Sequence, residues 1–410
     1  MNVRERFREV MSFHTGVAPP RWEFGYWGGS YENWYREGLP EKKRPRLPTT
    51  SGTHVDLYAP CWHSLPGPEL PDGIAVTGGG LYWPTQSFAL DNDVLDALIM
   101  DRSQVAVNVN LLFSPQFDIE IVEENDDKLL YKDIDGVTRV FMKETAVLPA
   151  AWSNVITDRK TWSTLKEERL SLENLADRFP ARWNRLLENY RNRDYVLVLG
   201  GYPAGYFGTL VHLMGYEKLF YNYTDDPELI HDISNTFTEL WMAIYEEVLS
   251  QTDVDMFIFW EDISAGTGSM VSPAAIREFM VPYYRRMTDF LKEKGVDIIF
   301  VDTDGDCFDI IPMFLEGGVT GMYPIEASCG MDLVKTRNTY PELQLMGGIA
   351  KSEFSKGHEV IDRVLEPPAE VLKSGGYVPY GDHLIPPDVH WPEFKYYRDK
   401  LNRLMDDGRV

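Results

Sequence analysis

From about residue 170 onward the sequence alternates short apolar runs with stretches of 3.6-residue periodicity, and this repetition constrains the fold more than any other feature. The apolar runs fall at 195–200, 255–261, 297–303, 319–324, 343–347 and 376–380. Between them lie helical patterns near 170–191, 227–250, 273–294, 307–316, 329–338 and 358–374. Strands joined through helices pair in parallel, so the pattern predicts an α/β sheet covered on both faces. Asp226-Pro227 and Ser272-Pro273 each put a capping side chain ahead of a proline at a helix start. With room for one or two strands before residue 150, the count suits a (β/α)8 TIM barrel better than an open sheet.

The first 150 residues read as an N-terminal extension with insertions. Residues 2–13 carry an amphipathic helix pattern that Pro19-Pro20 ends, and Trp22-Glu23-Phe24-Gly25-Tyr26-Trp27 reads as the first strand. Residues 40–90 lack periodicity and predict short helices and loops over one mouth, whereas 117–142 predicts a small inserted β-meander with turns at Asn125-Asp126-Asp127 and Asp135-Gly136. The whole of 1–410 is thus expected to be one barrel domain with a β insertion.

Charge narrows the partners. Lys plus Arg number 40 against 64 Asp plus Glu, a formal charge of −24, which opposes attraction to nucleic acid or an anionic membrane surface. No apolar stretch reaches the roughly 18 residues of a membrane span, and the opening Met-Asn-Val-Arg-Glu-Arg-Phe lacks a signal-peptide core. Cys61, Cys307 and Cys329 are widely separated, without CxxC spacing, which argues against a disulfide framework or a structural zinc ribbon. The expectation is a cytoplasmic protein.

Residues 297–306 read Asp-Ile-Ile-Phe-Val-Asp302-Thr303-Asp304-Gly305-Asp306, an apolar run that ends in carboxylates on alternate residues. Side chains alternate along a strand, so Asp302 and Asp304 share a face. In a barrel the C-terminal strand ends converge on one mouth, which gathers Glu23, Tyr26, Tyr202, Glu261, Asp262, Asp302, Asp304, Tyr323, Glu326 and Asp382-His383. So many like charges repel unless a cation, a metal or shared protons offset them. His383 follows the last strand and could donate or ligate, with Asp382 as its orienter.

These residues carry a family resemblance. Gly201-Tyr202-Pro203-Ala204, the Ser272-Pro273 to Tyr284 helix, Asp302-Thr303-Asp304-Gly305-Asp306, Glu326-Ala327, Gly347-Gly348-Ile349 and Asp382-His383 resemble the uroporphyrinogen decarboxylase superfamily, as does the opening Arg-Glu-Arg-Phe-Arg-Glu-Val-Met. The resemblance implies a (β/α)8 barrel and either porphyrinogen decarboxylation or methyl transfer linked to a corrinoid. Decarboxylases of the superfamily carry an Arg-Gln-Ala-Gly-Arg segment, but no arginine occurs here between Arg21 and Arg36. Its methyltransferases hold zinc with a His-x-Cys motif, whose position matches Asp302-Thr303-Asp304, and with a later Cys near Asp382-His383. Oxygen ligands with one His suit zinc and harder cations alike.

The resemblance therefore implies a methyltransferase moving a methyl group between a small substrate, such as a methoxy compound, and a corrinoid cofactor on a partner protein. Asp302, Asp304 and His383 are then expected to hold a divalent metal, zinc among the candidates, or to handle protons. Glu261 is the expected general acid, with Asp304 a second catalytic group. Glu23, Tyr26, Trp27, Tyr202 and Glu326 are the expected substrate-binding residues. The alternatives are a uroporphyrinogen decarboxylase-like carboxy-lyase and a noncatalytic corrinoid- or tetrapyrrole-binding protein.

Overall fold

The computed structural model describes residues 1–41, 92–101, 104–142, 149–181 and 183–407. The expected mouth-covering segment at 40–90 lies, from residue 42, outside the described residues, as does Cys61. An opening helix, Val3–Met11, is capped by reciprocal bonds between Asn2 and Glu5. The first barrel strand, β1 (Val105–Ala106), leads into an inserted antiparallel sheet of β2 (Glu120–Glu124), β3 (Lys128–Lys132), β4 (Thr138–Met142) and β5 (Ala150–Ser153). The chain returns to β6 (Leu197–Gly200) and β7 (Met256–Trp260), makes a ribbon of β8 (Ser264–Ala265) and β9 (Gly268–Ser269), and finishes the barrel with β10 (Ile299–Asp302), β11 (Gly321–Ile325), β12 (Gln344–Ile349) and β13 (Tyr377–Gly381).

Neighbours in the order β1-β6-β7-β10-β11-β12-β13 are all parallel, and β6 and β10 through β13 are buried along their whole length, as a sheet packed on both faces requires. Residues 22–27 fill the place of the eighth strand with a single parallel bridge rather than a ladder. Tyr26 bridges Ile385 beyond β13, while Arg21 exchanges bonds with Asp101 just ahead of β1. Much of this closure is carried by side chains: Glu23 accepts from the Gly381 amide and pairs with Arg398 at 3.1 Å. The result is a TIM-barrel-like α/β fold.

The strand positions agree with the sequence reading to within two residues, but several helices differ. The expected 170–191 helix is instead Arg159–Arg169, a 3-10 turn at Leu175–Arg178 and Trp183–Arg191. Asp158 caps the earlier start and Pro180 separates the later pieces. The 273–294 helix breaks into Pro273–Phe279 and Val281–Glu293, because Pro282 cannot donate in a helix interior and sits in a new first turn. The 358–374 pattern divides at Leu365 for the same reason, ahead of Pro367-Pro368. The meander gains a fourth strand, β5, beyond its expected bounds. No helix among the described residues is long and apolar enough to cross a membrane.

The Glu23–Arg398 pair is wholly buried, and removing one member leaves an uncompensated charge. Glu23→Ala should therefore lose about 3–5 kcal/mol in urea unfolding. A loss below about 1 kcal/mol would mean that the closure does not lean on this pair.

Candidate functional site

Strand alternation decides which residues reach the mouth. On β7, Phe257 and Phe259 pack outward on the helical residues Tyr245 (5.5 Å between rings) and Tyr284 (4.8 Å). Trp260 is therefore turned inward and Glu261 outward. The Glu261 carboxylate is fully buried and accepts from the backbone amides of Tyr206 (2.8 Å), Phe207 (2.6 Å) and Gly208 (3.1 Å) and from the Tyr284 hydroxyl (2.5 Å). Burial pushes its carboxyl up to about 7 against those four donors. With both oxygens engaged it anchors the start of the Gly208–Met214 helix to the sheet. The expected role of general acid does not fit this residue.

Its neighbour Asp262 is the residue delivered to the mouth, in a left-handed conformation with φ 46° that a non-glycine residue adopts at a cost. Burial, then the charges of Asp304 and Glu326, hold its carboxyl well above the usual range. Asp302 lies on the inward face of β10 beside its register partner Tyr323, to which it is hydrogen bonded. Burial, then Asp262 and Asp304, raise its carboxyl in the same direction. Asp304 follows in the turn that Gly305 makes at φ 80°, where a Cβ would meet the Ala265 carbonyl oxygen at 2.7 Å. Its carboxyl is pushed up to about 7 by burial and by Glu326, with Lys351 opposing and Asp382 adding. The side chain keeps 40% of its surface exposed, so solvent tempers the shift and the group remains reachable.

The other wall is a charged cradle. Glu326 accepts from the Gly305 amide at 2.7 Å, and Asp382 accepts from the amides of Ser328 (2.6 Å) and Lys351 (3.0 Å). The Lys351 ammonium lies 3.5 Å from each of these carboxylates. The bond from Gly305, the Cys329 thiol and Lys351 outweigh burial and hold Glu326 below the usual range. His383 stacks on Phe24 with ring centroids 4.6 Å apart, and its Nε2 lies 3.5 Å from Asp304. Burial and Lys351 push the imidazole down to about 4, so it is neutral at physiological pH.

Of the expected residues, Asp302, Asp304, Glu326 and His383 come together. Glu23 does not; it is the buried partner of Arg398. Tyr26 packs among Trp34 and Phe394 in a second core, with its hydroxyl toward Met100. Trp27 precedes the Gly28–Glu37 helix and donates its amide to Ile385. Tyr202 lies at the end of β6 against Trp260. Two residues were missed, Lys351 and Phe24, and Asp262, expected at the mouth, had been given no role there. Counting by twos from Phe257 would have turned Glu261 outward, and Lys351 is the first cation after the β12 glycines.

The expected metal ligands do not form a set. Asp302 is engaged by Tyr323 and His383 lies 3.5 Å from Asp304, and among the described residues no three His, Cys, Asp or Glu side chains converge to hold a metal ion. Burial pushes the thiols of Cys307 and Cys329 up to about 12, which disfavours the thiolates a zinc site would use.

A parallel barrel with its polar residues gathered at the C-terminal strand ends defines the class of protein. Residues 191–399 match the sequence profile of the family Uroporphyrinogen decarboxylase (URO-D), and the chain belongs to that family. Among solved structures it resembles a methyltransferase from Methanosarcina mazei, at 13% identity over 98% of this chain and 99% of that one, with a TM-score of 0.54, a likeness of fold. A Listeria monocytogenes protein assigned as a vitamin-B12 independent methionine synthase aligns at 13% identity over 54% of this chain and 69% of that one, with a TM-score of 0.31, too low to carry an argument. No curated protein sequence matches.

An acid whose pKa rises on folding binds its proton more tightly folded than unfolded, so stability falls as pH climbs from the unfolded value, 3.8, toward the folded one, about 7. Asp304→Asn removes that penalty. The variant's melting temperature should match wild type near about pH 4 and exceed it increasingly up to about pH 7.5. A gap independent of pH would contradict the shift.

Proposed function

We propose that the chain transfers a methyl group between a small substrate, such as a methoxy compound, and a corrinoid cofactor carried by a partner protein. The observation that carries this reading is Asp304, reachable at the mouth, its carboxyl held near 7 beside a neutral His383. A departing alkoxide or phenoxide needs a proton, and an acid tuned to ambient pH is the efficient donor. The described residues offer such an acid, and no three of their His, Cys, Asp or Glu side chains group as metal ligands.

The corrinoid supplies the nucleophile that accepts the methyl group. This chain does the rest. Trp260, Tyr202 and Phe24 wall the substrate, while Glu326 and Asp382 hold Lys351 and Glu326 fixes the turn that carries Asp304. As the substrate's C–O bond breaks, the Asp304 proton passes to the leaving oxygen. Solvent, which reaches the 40% exposed side chain, returns the proton to the carboxylate, while the neutral His383 lies 3.5 Å away. The carboxy-lyase alternative is disfavoured: among the described mouth residues Lys351 is already paired with Glu326 and Asp382, a poor reception for a polycarboxylate.

The test pairs the protein with a corrinoid protein and a panel of methyl donors and follows the cobalt absorbance. Asp304→Asn should slow transfer from methyl ethers by roughly 10²–10⁴-fold and cost much less with a sulfonium or quaternary amine donor, whose leaving group needs no proton. Turnover of uroporphyrinogen with no methyl transfer from any donor would overturn the proposal.

A further inference from the structure

The inserted sheet is joined to the mouth by a buried polar chain. Arg139 of β4 holds Asp133 at 2.7 Å and Asp135 at 2.5 and 3.0 Å. All three side chains are almost fully buried. Asp135 also accepts from the Val137 amide at 2.9 Å and meets Nε2 of His212, on the barrel's Gly208–Met214 helix. Nδ1 of His212 lies 2.9 Å from the Tyr202 hydroxyl, and Nε2 lies 3.3 Å from the Arg139 guanidinium. The hydroxyl also lies 2.8 Å from Nε2. The Tyr202 ring stands edge-on to Trp260 at 4.6 Å, and the Trp260 indole donates to Asp262.

We propose that Asp135 and His212 are positioning residues of the mouth. Asp135 from the inserted sheet and His212 from the barrel helix fix the Tyr202 hydroxyl, and through the Tyr202–Trp260 contact they set the wall that holds Asp262. Apolar packing would fasten an insertion to a barrel without burying charge, which carries a desolvation cost. Directional hydrogen bonds do something packing does less sharply: they fix the orientation of one ring. The strained backbone of Asp262 at the end of the chain is where such fixing is needed. The inference depends on where the site lies and not on methyl transfer.

Fluorine NMR of the full chain labelled with 5-fluorotryptophan tests it without substrate. Trp260→Phe identifies the Trp260 signal among the 11 tryptophans. Asp135→Asn and His212→Gln should each shift or broaden that signal while Trp34, in the second core, stays in place. Lys128→Ala, on the insertion beside Trp152, should move only the Trp152 signal. If Asp135→Asn disrupts the insertion itself, His212→Gln decides alone, because its residue belongs to the barrel. A Trp260 signal unmoved by His212→Gln, or moved equally by Lys128→Ala, would overturn the proposal.

Discussion

The mutual repulsion of carboxyl groups brought to one strand-end mouth is the constraint on which the rest of this site depends. Burial raises the proton affinity of Asp262, Asp302 and Asp304 most, the charge of Asp304 adds to it at the other two, and that of Glu326 adds to it at Asp304. The fold meets the problem in three ways: Lys351 between Glu326 and Asp382, the Tyr323 bond to Asp302, and protons retained by the acids themselves. The last of these turns a structural burden into a chemical capacity, since a carboxylic acid that keeps its proton near neutral pH can give it away. His383, stripped of its charge by burial and by Lys351, is the complementary half.

Which acids join the cluster is a matter of strand period. One residue separates Glu261, an anchor for a helix start, from Asp262, a member of the mouth. The same parity places Phe24 against His383 and sends Glu23 outward to Arg398. A barrel thus converts a difference of one position into a difference between structure and chemistry.

Much of the fold was legible because it rests on local patterns. Apolar runs marked six strands to within two residues, and Asp226-Pro227 and Ser272-Pro273 marked helix starts. Asp302, Asp304, Glu326 and His383 were legible because their strands end abruptly in polar residues. What could not be read depends on partners distant in sequence. Glu23 meets Arg398 across 375 positions, Tyr26 turns toward Phe394, and Asp135 reaches His212 across 77. The error at Glu261 was of another kind, because alternation from the preceding phenylalanines already contained the answer. Broken helices at Pro282 and Pro367-Pro368 likewise had a visible cause that periodicity alone overrode.

The most direct test of the account is the titration of the Asp304 carboxyl, followed by carbon-13 NMR in wild type and in Glu326→Gln. The account predicts a midpoint near 7 that moves down when the Glu326 charge is removed, since that charge is the largest contribution after burial. A midpoint in the ordinary aspartate range, near about 4 and indifferent to Glu326, would contradict it.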